Sequence, residues 1–167
     1  MNVRHAALAI GLIGVLTATV AYSETMSAQD FVTKASVANM FEIESSKLAL
    51  DNAKNSDVRA FAQRMIDDHT KTGERLKSVL SDSKSDIKPA DKLDAKHSNL
   101  MDTLKAESSN TFDQQYITMQ VNAHKEAVKL FTDYSMSGDN KALKDFAAST
   151  LPSLKQHADH VQDLKSK

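Results

Sequence analysis

Few residues in this sequence can do chemistry, and four of them fall where chemistry is costly. Glu42, His69, His124 and His157 each lie in a segment whose apolar residues recur at spacings of three and four, and each sits on the apolar stripe of its own segment. A carboxylate or imidazole in a core is strongly disfavoured unless something satisfies it. Three imidazoles and one carboxylate would make a coordination shell for one divalent ion, Zn, Mn, Fe or Cu, since His nitrogen and carboxylate oxygen suit all four. Glu44, Tyr116 and Gln120 are the expected hydrogen-bonding supports for such ligands. The competing expectation is a metal-free network in which Glu42 accepts from one or two imidazoles and fixes helix register. Periodicity is compatible with both.

These residues can meet only if their segments pack side by side. A helix from about Ser27 to Asn52 carries Phe31, Ala35, Ala38, Glu42, Ser45 and Ala49 inward, with Ser27 and Asp30 at its start. A second, beginning after Asn55-Ser56 and running to about Ser81, carries Val58, Ala62, Met65, His69, Thr72, Leu76 and Val79. From Asp82 to Asn110 the pattern weakens into a connector around Pro89, with a short amphipathic stretch bearing Leu93, His97, Leu100 and Leu104. A third long helix opens at Thr111, where Gln114 has the spacing of a capping box, carries Tyr116, Gln120, His124, Ala127 and Phe131, and ends at Gly138. The fourth starts at Asp139 or Asn140 and carries Leu143, Ala147, Thr150, Leu154, His157, Val161 and Leu164, with Pro152 expected to kink or break it. Joins of about three residues make each pair an antiparallel hairpin. Within each hairpin the two polar residues differ in distance from the turn by about three residues, roughly 4.5 Å at 1.5 Å per residue, so all four converge near the middle.

Other signals are bland. His160 falls off the inward stripe and reads as solvated, Asp67 and Asp68 beside His69 point outward or to a helix interface and read as solvated acids, and the seven Met residues read as gap-filling core. There is no Gly-rich phosphate loop, nucleophile elbow or His-Glu-x-x-His motif, and no catalytic residue is assigned. The 21 basic and 22 acidic residues are scattered, which excludes the basic stripe that nucleic acid requires. With four Gly, two Pro and no Trp, the composition favours helices, and 167 residues suit one domain. No Cys is present, so disulfides, thiolate metal sites and thiol nucleophiles are excluded.

Residues 1–23 read as a signal peptide: Arg4 and His5, the apolar run Ala6 to Ala21, then Ala21-Tyr22-Ser23 as a cleavage signal. The expected mature chain, 24–167, then has no integral membrane span and resides in the periplasm, at the outer membrane or outside the cell.

Several stretches resemble the exported bacterial domain-of-unknown-function family 4142, often labelled as outer-membrane proteins. They are Phe41-Glu42-Ile43-Glu44 leading to Lys47-Leu48-Ala49, Val58 through Met65-Ile66-Asp67-Asp68-His69-Thr70, Phe112-Asp113 with Tyr116-Ile117, Val121 to His124, and Phe146-Ala147 through Leu151-Pro152 to His157. The resemblance implies a ferritin-like arrangement, and the segments themselves read as an up-and-down four-helix bundle with a long connector holding a short helix between helices two and three. The family has no settled activity, but its typical Glu and His positions map onto Glu42, His69, His124 and His157. No Glu-x-x-His pair occurs, which argues against di-iron ferritin chemistry. Three functions follow as expectations: a bundle binding one divalent metal, a metal-free envelope interaction or stress-protection protein with an envelope protein partner, and a metalloenzyme acting on a small oxidant.

Overall fold

Alternation of apolar and polar faces drives the chain into helices that must hide one side each, and the computed structural model describes this outcome for residues 25–166. Five helices form in order: α1 (Ala28–Asn52), α2 (Ser56–Asp82), α3 (Ala95–Ala106), α4 (Phe112–Ser137) and α5 (Lys141–Lys165). No strand occurs among the described residues. The expected signal segment, 1–23, lies outside them.

Short polar side chains start most of the helices by accepting the free amides of the first turn. Ser27 accepts from the Asp30 amide, Asn55 from Asp57, Asp94 from His97 and Asn140 from Leu143. The capping box expected at Thr111 does not form. The Thr111 side chain makes no cap bond, because its hydroxyl donates to Glu107 at 2.7 Å and pairs with Ser108 instead. Nor does Pro152 break α5, which is continuous from Lys141 to Lys165. Pro152 and Ala148 are both exposed, so the carbonyl left without a donor faces water and not the core.

The four long helices pack in a ring, α1 on α2, α2 on α5, α5 on α4 and α4 on α1, while α3 lies against α1 and α4. The connector sets their direction. Near its start it is tied to the N-terminal half of α1, where Gln29 donates to the Lys88 carbonyl and the Ala90 amide donates to Ser36 Oγ. At its far end it delivers α4 beside the α1–α2 turn, so it spans the bundle and α4 runs parallel to α2. The order is therefore up, down, down, up, as a single long crossover requires, and not the simple up-and-down alternation expected from the sequence.

Asp113, in the first turn of α4, clamps that turn. Its carboxylate accepts from the Lys54 amide at 3.1 Å and the Asn55 amide at 2.8 Å, while Arg59 donates to the carbonyls of Ala53 and Lys54. Apolar side chains fill two separate clusters. One, toward the clamp, contains Phe41, Phe61, Met65, Leu104, Tyr116 and Val161. The other, toward the opposite end, contains Phe31, Leu76, Phe131, Tyr134, Phe146 and Leu154. On α2, α4 and α5 a histidine lies between the residues given to each cluster.

The clamp predicts that Asp113→Ala lowers the unfolding free energy by about 1–2 kcal/mol, since two amides lose a charged acceptor. Urea unfolding of the two proteins measures this, and an unchanged midpoint would mean that the crossover alone holds the turn.

Candidate metal centre

The histidines that interrupt the apolar stripes meet in the layer between the two clusters. His69, His124 and His157 are all buried, at 5%, 0% and 2% exposure, and their ring centroids are 5.5 to 5.8 Å apart. Each offers one nitrogen to a common point, and these three atoms lie within 4.8 Å of one another.

What orients the rings is the partner of each outer nitrogen. His124 Nδ1 donates to the Gln120 carbonyl, one turn earlier on α4, at 3.0 Å. His157 Nε2 donates to the Asp68 carboxylate of α2 at 2.9 Å. His69 Nδ1 donates to Asn39 Oδ1 of α1 at 3.2 Å. A carbonyl or carboxylate oxygen can only accept here, so each contact fixes a tautomer and leaves the other ring nitrogen with its lone pair. Those remaining atoms, His69 Nε2, His124 Nε2 and His157 Nδ1, are buried without any hydrogen-bond partner. Burial holds His69 well below the ordinary imidazole value of 6.5, reinforced by the neighbouring His124 and His157. Burial also lowers His157, although its hydrogen bond to Asp68 opposes this. At Asp68 burial acts upward, but the hydrogen bond and charge of His157, with Arg64, outweigh it and hold the carboxyl below its ordinary value.

Glu42 is buried with them but outside the triad. Its Oε1 is 3.6 Å from His124 Nδ1, the outer nitrogen, so it faces the side of that ring already committed to Gln120. Desolvation raises its pKa above 4.5, against the lowering effects of His124 and Gln120, and its Oε2 has no partner. The three expected supports divide. Gln120 takes part through its main-chain carbonyl, while its side chain donates to Ser45 Oγ at 3.1 Å. Tyr116 pairs with Ser46 at 2.8 Å and with no histidine, and burial keeps its phenol protonated. Glu44 is exposed and supports nothing in the layer, because it lies two residues from Glu42 and so on another side of α1.

Sequence reasoning missed the two side chains that orient the triad from neighbouring helices. Asp68, read as a solvated acid, reaches across the α2–α5 interface to His157. Asn39 had a faint signal: it lies one turn before Glu42 on α1. Gly73 also has a function in this layer, since a Cβ there would stand 2.9 Å from Asn39 Nδ2. His160 packs edge-on against Phe61, with centroids 5.2 Å apart, and is not fully solvated.

Residues 15–164 match the family described as Domain of unknown function (DUF4142). The chain belongs to that family. Its fold is similar to the solved structure of CopM in the Cu(II)-bound form, with 14% sequence identity, a TM-score of 0.70, and coverage of 85% of this chain and 97% of that one. It is also similar to a DUF305 fragment from Deinococcus radiodurans, with 11% identity, a TM-score of 0.69, and coverage of 83% and 94%. No curated protein matches the sequence. At such identities the two structures establish a shared all-helical fold for this DUF4142 chain.

The buried groups predict how the metal-free protein responds to pH. His69 and His157 have folded pKa values below the unfolded 6.5, so their contribution is intact above 6.5 and is lost as pH falls below it. The loss approaches about 1.4 kcal/mol per pH unit for each histidine. Glu42 acts oppositely, because a folded pKa above 4.5 makes the folded state take up its proton first as pH falls. Urea unfolding in a chelator from about pH 8 to pH 5 should show declining stability, with a steeper decline in Glu42→Gln. A flat profile would contradict the neutral, buried imidazoles.

Proposed function

We propose that this protein binds one divalent transition-metal ion through His69 Nε2, His124 Nε2 and His157 Nδ1. The observation that carries the reading is the division of labour within each ring: the outer nitrogen is tied to an oxygen acceptor and the inner one is buried with nothing to bond. A hydrogen-bonded structural network would spend both nitrogens. Left unpaired, each buried nitrogen costs roughly 1–3 kcal/mol, and an ion bound to all three removes that penalty. Ring nitrogens held by carbonyl or carboxylate partners are the usual outer support of metal-bound histidine.

Three imidazoles without a carboxylate suit Cu(II) or Zn(II) better than Mn or the oxygen-seeking Mg and Ca. The similar fold of CopM, solved with Cu(II), makes copper the first ion to try. An ion held at about 2 Å by each nitrogen would draw the three atoms, now within 4.8 Å of one another, closer together. Glu42, lying behind His124, is a support for that ring and not a ligand. Where the protein works is part of the same reading: residues 1–23 export it, and the mature chain holds its metal in the periplasm or beyond.

Metal-free protein should take up one Cu(II) or Zn(II) per chain, measured by calorimetry and elemental analysis, and should melt higher when loaded. His69→Leu, His124→Leu and His157→Leu should each lose stoichiometric binding while remaining helical. Asp68→Asn, which weakens only the support of His157, should lower affinity roughly 10–100-fold. Wild-type protein that takes up neither ion, or variants that bind as well as wild type, would refute the proposal.

A further inference from the structure

A cavity of about 440 Å³ opens between α1 and α2 and runs inward to the polar layer. Its volume lies within the roughly 300–1,000 Å³ typical of small-molecule sites. The walls are largely apolar and come from all four long helices, including Met40, Leu76, Phe131, Phe146 and Leu154. Small residues keep it open: Ala35, Ala38 and Gly73 stand where larger side chains would bring the two helices' surfaces into contact. Two buried polar side chains line it, Glu42 and His69, at 3% and 5% exposure. Glu42 Oε2 and His69 Nε2 both lack a partner.

The chemistry of these surfaces selects the occupant. A charged head group would have to leave water for walls of phenylalanine and leucine, which is costly. An anion would in addition face Glu42. A hydroxyl both donates and accepts, so it satisfies Glu42 Oε2, once a turn of that side chain brings the enclosed oxygen to the cavity, whether or not the carboxyl holds a proton. The exposed charged residues at the cavity, Glu74, Lys77 and Asp91, carry both signs and favour neither kind of ion. We infer that this cavity binds a neutral, largely apolar small molecule bearing one hydroxyl, with the hydroxyl seated at Glu42 beside His69. Glu42 remains available when His69 holds an ion, so the inference stands apart from the metal.

The test compares 4-propylphenol with propylbenzene, which lacks the head group, and with 4-propylbenzoate, which carries an anionic one. Calorimetry on the full chain, metal-free and metal-loaded, should give a single site that prefers the phenol at least about tenfold over either analogue. Ala38→Phe, which fills the cavity from its half-buried wall, should abolish binding without lowering the melting temperature. Glu42→Leu should remove the preference for the hydroxyl while propylbenzene still binds, and Glu42→Gln, which keeps a polar group, should retain most of it. Equal binding of all three probes, binding of none, or a phenol site that survives Ala38→Phe would overturn the inference.

Discussion

The structure is organised around the cost of a polar layer inside an apolar bundle. Three imidazoles, a carboxyl and an amide lie between two hydrocarbon clusters, and none of them is reached freely by water. Such a layer persists only if its outward-facing atoms are satisfied and its helices cannot slide. An axial shift of one residue is about 1.5 Å, enough to lose the contacts from Asn39 and Asp68 that orient two of the rings. Register is therefore the constraint that the rest of the fold serves.

The devices that hold register lie away from the layer. Asp113 fastens the start of α4 to the α1–α2 turn, and Ser36 and Gln29 fasten the connector near the other end. Between them the crossover makes α2 and α4 parallel and brings their histidines to the same depth from opposite corners of the ring. The α2–α5 interface then adds the Asp68–His157 contact, which ties the second hairpin to the first. His124 needs no such help, because its acceptor is the carbonyl one turn back on its own helix. Two supports from other helices and one local support explain how a small bundle aims three rings at one point.

Much of this was legible in the sequence because burial imposes a period. The stripes of α1, α2, α4 and α5 exposed Glu42, His69, His124 and His157 as polar residues on apolar faces, and three-residue joins fixed which helices pair. The unread part depends on neighbours that periodicity does not specify. Asp68 is one residue from His69 and looks solvent-facing until α5 packs beside it. Glu42 shares the stripe, yet it lies on the Nδ1 side of His124 and not among the three clustered imidazole nitrogens. Thr111 and Gln114 had the right spacing for a cap, but Glu107 and Ser108 compete for the hydroxyl. Pro152 looked like a break because sequence alone does not reveal that Ala148, whose carbonyl it leaves without a donor, is exposed to water.

Kinship with DUF4142 and a fold shared with CopM and a DUF305 fragment place the all-helical fold in a wider set of helical proteins. Within that fold, outer partners dictate where each imidazole carries its hydrogen, leaving three buried ring nitrogens without a hydrogen-bond partner. A long-range proton–nitrogen NMR spectrum of the metal-free protein at neutral pH reads this directly. The account predicts hydrogen on Nδ1 in His69 and His124 and on Nε2 in His157. Hydrogen found instead on the inward nitrogen of any of the three rings would contradict it.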